Sequence, residues 1–169
     1  AEFTTTQLAS LSTVQVRALS TTLIGGLTTE QVSSMTTSQL AAMSTTNLSA
    51  LDANQAASLT TTQLRALSTS QIAGLDADDV AEFTTTQIGA LTNTQAQGLT
   101  SPQMGGLADT QIQAFTATQV SALSTTQIRN FTSEIFAALD ATQIGALTAT
   151  QVGAISTTNL NALDSTKIN

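Results

Sequence analysis

Cysteine, histidine, tryptophan and tyrosine are absent from this 169-residue chain, and proline occurs once. Without cysteine there are no disulfide staples, although an oxidising compartment is not excluded. Without cysteine and histidine there are no thiol nucleophiles, zinc sites or histidine-based acid–base groups. Charge is scarce as well: 9% of residues carry it, against the usual quarter. Arg17, Arg65, Arg129 and Lys167 are scattered among eleven acidic residues, for a net charge of −7. Nucleic-acid binding needs a clustered basic face that displaces counterions, so nucleic acid is excluded as a partner. No apolar run approaches the roughly 18–20 residues of a membrane span, and no signal peptide is visible, so no membrane insertion is expected. Hydrophobic residues still make up 41% of the chain, enough to bury a core and unlike a polar disordered tract.

What the chain has is a repeat. From Phe3 a large apolar residue recurs at every eighth position: Leu11, Leu19, Leu27, Met35 and onward to Leu163. A second apolar series stands five residues later in each unit, at Leu8, Val16, Ile24, Val32 and Leu40, weakening to alanine at Ala56 and Ala96. Positions 3–169 therefore form one continuous array of about 21 octads, with no separate domains. Leu67-Ser68-Thr69-Ser70-Gln71-Ile72-Ala73-Gly74 is a clean copy. The second position is Ser, Thr or Asp except at Ala108, and the eighth is small except at Glu82 and Asn130, which should mark looser or exposed places. Gln holds the fifth position in 15 of 21 octads; Leu23, Asn47, Asp79, Ile135, Asn159 and Lys167 replace it elsewhere.

One continuous helix does not suit this period. Eight residues turn through about 800°, so an apolar stripe drifts by roughly 80° per octad. A β-solenoid is the alternative fold, since Thr, Val and Ile favour strands. Its difficulty is that apolar spacings of five and three are odd and send successive apolar side chains to opposite faces.

A short helix per octad explains more positions. Ser, Thr or Asp stands at the N-cap. Gln three residues later is the reciprocal member of a capping box, and the flanking apolar residues, such as Leu67 and Ile72, form a hydrophobic staple. Pro102 falls in a first turn, where a missing amide hydrogen costs little. Gly25-Gly26 and Gly105-Gly106 occupy octad ends, where helices terminate. Helices this short do not persist alone, so the expected fold is an all-α repeat solenoid of stacked capped helices.

The pattern L-[ST]-x-x-Q-[ILV]-x-[AG] resembles octapeptide arrays within very large secreted bacterial surface proteins of the RTX-adhesin kind. That resemblance covers the whole chain and implies an extracellular, cell-surface extender or adhesive segment exported by type I secretion. The calcium nonapeptide of RTX proteins (Gly-Gly-x-Gly-x-Asp) is absent, so its calcium-dependent folding is not implied.

Candidate sites are few, and no enzyme is expected. Asp52, Asp76, Asp140 and Asp164 occupy cap positions. The one acidic cluster, Asp76, Asp78, Asp79 and Glu82, is a calcium candidate by its carboxylate content, although acids in a first turn also suit the helix dipole. Runs such as Thr4-Thr5-Thr6 and Thr84-Thr85-Thr86 stack hydroxyls along one side, and a Thr/Gln face of this kind suits glycan, ice, another protein or self-association. Phe131-Thr132-Ser133-Glu134-Ile135-Phe136 replaces Gln with Ile and adds an aromatic residue, marking a wider core or an exposed contact patch, the former preferred. The expected function is a structural spacer; the alternative is a binding module.

Overall fold

The computed structural model describes residues 3–163. The Asp164 cap, Lys167 and the rest of the last unit lie outside the described residues. Among these there are twenty α-helices and no strand, from α1 (Thr5–Ala9) to α20 (Thr157–Ala162), each four to six residues long. The β-solenoid alternative is thereby set aside.

Most helices begin as the octad predicts. In α9 (Thr69–Ala73) the N-cap Ser68 is extended, at φ −69° and ψ 156°. Its Oγ accepts the Gln71 amide at 3.1 Å, while Gln71 Oε1 accepts the Ser68 amide at 2.8 Å. The exchange satisfies two of the amides that a helix start leaves without partners. At Ala108 half the box survives: the alanine has no oxygen to offer, yet its amide still donates to Gln111 Oε1 at 2.8 Å. Pro102 lies in the first turn of α13 (Ser101–Gly105), with Thr100 as cap.

The chain turns after each helix without left-handed backbone, for no described residue has a positive φ. Gly26, for example, ends its helix at φ −87°. Glycines at the octad ends are therefore not left-handed caps. Two of them answer to crowding instead. A Cβ on Gly98 would lie 2.2 Å from Thr69 Cγ2, and one on Gly74 would lie 2.6 Å from Thr45 Cγ2. In both pairs the eighth position of one octad meets the first helical residue 29 positions earlier. Asn130 keeps the same register from the surface, donating to Ser101 Oγ at 2.9 Å.

That register defines the solenoid. Helices pack against the third one along the chain, as α2 (Thr13–Arg17) does on α5 (Thr37–Ala42) and α12 (Asn93–Gly98) on α15 (Ala117–Ala122). The two apolar series merge into one continuous core running the length of the array. Residues after the Gln, such as Leu40, Leu64, Ile72, Ile88 and Ile128, are fully buried. Burial of apolar surface between successive turns supplies what an isolated six-residue helix lacks.

The aromatic octad follows the wider-core reading. Phe131, Ile135 and Phe136 are buried, and the two rings meet edge-to-face with centroids 5.5 Å apart at 68°. No exposed contact patch forms there.

Candidate functional site

The glutamines form the seam of the molecule. Gln39 is 2% exposed. Its Oε1 accepts the Thr36 amide at 2.8 Å, closing the capping box of α5. Its Nε2 points the other way and donates to Leu8, Ala9 and Leu11 carbonyls at 2.9, 3.3 and 2.8 Å. Those carbonyls belong to the end of α1 and the step beyond it, where a helix leaves its C=O groups without intrahelical partners. One side chain thus satisfies the start of its own helix and the end of a helix one turn earlier.

The arrangement recurs along the array. Gln63 reaches Val32, Ser33 and Met35; Gln95 reaches Leu64 and Leu67; Gln143 reaches Ile112 and Phe115. The acceptors stand 31, 30 or 28 residues earlier in each case. Together with helix packing at a separation of three, this places between three and four octads in each turn of the superhelix.

The tie also explains the choice of residue. Glutamate completes a capping box as well as glutamine does, but a carboxylate has no hydrogen to give a carbonyl. Asparagine is shorter and does part of the work. Asn47 and Asn159 donate to Leu19 and Phe131, each 28 residues back, and no side-chain bond from either to its cap amide closes the box.

Asp79 stands at the glutamine position of α10 (Ala77–Ala81). Its Oδ2 accepts the Asp76 amide at 2.9 Å, and it brings no amide to the turn below. Register places it against Leu48 and Leu51, which line a small cavity together with Asp79, Glu82 and Phe83. Glu82 Oε2 is buried without a hydrogen-bond partner. Desolvation, then the charges of Asp79, Asp52 and Asp78, hold the Glu82 carboxyl above the usual carboxylate range. Of the two exceptions at the eighth position, then, Asn130 is exposed and Glu82 borders a gap. The cluster Asp76, Asp78, Asp79 and Glu82 is not drawn into a cation site. Asp76 and Asp78 face solvent, and among the described residues no three acidic side chains form a group that would hold a metal ion.

The expected Thr/Gln face needs a correction. The fifth-position glutamines from Gln31 onward are buried at 1–8% exposure because their amides serve the seam, whereas Gln7 and Gln15 are exposed. Threonine remains outside. Open grooves between turns are lined by Thr92, Asn93, Thr94, Thr116 and Thr118 beside Arg65, and by Thr21, Thr45 and Thr46 beside Asp76. Arg17 donates from Nε to the Ala42 carbonyl at 3.3 Å, bridging two turns. None of the described helices is long and apolar enough to cross a membrane.

Short capped helices tied turn to turn by a buried amide side chain in most units define a tandem-repeat protein of the helical solenoid class. The family model of the ALTTAQ repeat matches residues 1–37, 32–69, 61–93 and 72–109. The chain belongs to the ALTTAQ repeat family. Comparison with curated proteins and with solved structures finds no match.

Proposed function

We propose that this array is a spacer in a secreted or cell-surface bacterial protein, holding an adhesive part away from the cell and performing no catalysis itself. The supporting observation is the repeated glutamine tie. Most octads from Gln31 onward use the amide at the fifth position to bind the turn before it, so turns add without altering those already present. A chain that spends its recurring polar groups on its own backbone suits extension better than chemistry. Small-angle scattering of arrays lengthened by eight octads tests the spacer reading. The maximum dimension is expected to grow by a constant increment, and an unchanged dimension would remove the idea. Antibodies against the array test the location: labelling of intact bacteria supports it, and labelling after lysis alone overturns it.

The grooves between turns favour a second reading, in which threonine hydroxyls recognise a glycan, ice or a protein surface. Thr92, Thr94, Thr116 and Thr118 border one groove together. Glycan-array binding that is lost on Thr94→Val with Thr118→Val supports this reading. Unchanged binding in that double variant counts against it.

A further inference from the structure

We propose that the octad from Leu75 to Glu82 is an acid-sensitive seam, in which a proton taken up by the Glu82 carboxyl supplies a donor where Asp79 has replaced the glutamine amide. In the neighbouring seams a glutamine amide faces backbone carbonyls 31 and 28 residues back, as Gln71 does with Leu40 and Met43. At Asp79 the corresponding carbonyls are those of Leu48 and Leu51, and the polar side chains that line the same cavity as these two residues are the carboxyls of Asp79 and Glu82. Ionised, the seam holds acceptors alone, and acceptors facing one another across an apolar cavity repel. Leu48, Leu51, Ala56, Leu59, Leu67 and Phe83 keep water scarce around it.

The surroundings reinforce the effect. Asp52 caps the helix Ala53–Ser58 on the turn below, and Asp78 lies on α10 itself; both act on Glu82 along with Asp79. Asp76 caps α10. The helix packed above, α13, reads Ser-Pro-Gln-Met-Gly and has no titratable group. No lysine or arginine is among the charges that act on Glu82. These charges favour proton uptake at Glu82.

The sign follows from linkage. Glu82 binds its proton more tightly folded than unfolded, so its contribution is fully present below the ordinary glutamate value. It is lost as pH rises through the raised one. A turn with this seam is firm in mild acid and loose at neutral pH.

Thermal melting of the 169-residue array, followed by circular dichroism between pH 7.5 and pH 4.5, tests the proposal. Glu30→Gln is the control for the general relief of a net negative charge on acidification, since Glu30 is exposed. The array and the control are both expected to gain Tm in acid. Glu82→Gln is expected to lose most of the acid increment; Asp79→Gln is expected to raise Tm at pH 7.5 by about 2–4 °C and, by removing one of the charges that act on Glu82, to reduce that increment. If Asp79→Gln and Glu82→Gln keep the same acid increment as Glu30→Gln, the proposal is wrong. A Tm that falls on acidification in the unmodified array overturns it as well.

Discussion

Among the described octads that have a turn below them, two carry no amide at the fifth position, and they depart in opposite ways. Around Ile135 the seam becomes apolar: Ile135, Phe136 and Ala138 are buried and the Phe131 ring closes on Phe136. Around Asp79 it becomes acidic, with a small cavity and a buried oxygen that has no partner. Either residue removes the amide, so the difference lies in what replaces it. An aromatic pair fills space and recovers dispersion and area. A carboxylate adds desolvation and like charge instead. Loss of the tie is therefore tolerable where packing makes up for it and weakening where it does not.

The comparison can be broken most severely at an intact seam. Gln95→Glu keeps the capping box but sets a carboxylate against the Leu64 and Leu67 carbonyls. A loss of about 4 kcal/mol at neutral pH is expected from an unpaired buried charge, read by urea denaturation and partly recovered in acid. Phe136→Ala empties the aromatic seam and should cost about 3 kcal/mol in the same measurement. The comparison is sharpened by making both octads alike. Ile135→Gln should destabilise by about 1 kcal/mol by placing an amide in an apolar site, while Asp79→Gln should stabilise by a similar amount. Shifts of the same sign in these two would show that the seams do not differ as described. The smallest effect belongs to Ala108→Thr, which completes a half-formed box and should gain about 0.5–1 kcal/mol.

The local half of this architecture was legible in the sequence. Caps, boxes and staples join residues three to five positions apart, and the order Leu67, Ser68, Gln71, Ile72 displays them directly. The aromatic octad at Phe131 and Phe136 was legible only as a choice, a wider core being preferred over an exposed patch, and burial decides it. The seam was not, because its partners stand 28 to 31 residues apart and every octad offers the same side chains to every other. A periodic text does not say which copy faces which. One signal did point to it: glutamate never stands at the fifth position in any of the 21 octads, although a capping box accepts it. The preference for an amide, held in 17 of 21 octads (15 Gln and 2 Asn), points to a second duty as donor. The burial of glutamine, and with it the loss of the expected Thr/Gln face, follows from that duty.

The sameness of the ties has a consequence for how such an array changes over generations. A superhelical turn holds a fractional number of octads, yet gaining or losing one octad still leaves most glutamines opposite suitable carbonyls. Length can then drift in steps of eight residues, by slippage between near-identical stretches of gene, without passing through unfoldable intermediates. The same freedom permits a folding chain to pair one copy out of step. The octads that differ, with their aromatic pair or their carboxyls, are the landmarks that make one alignment better than its shifted neighbours.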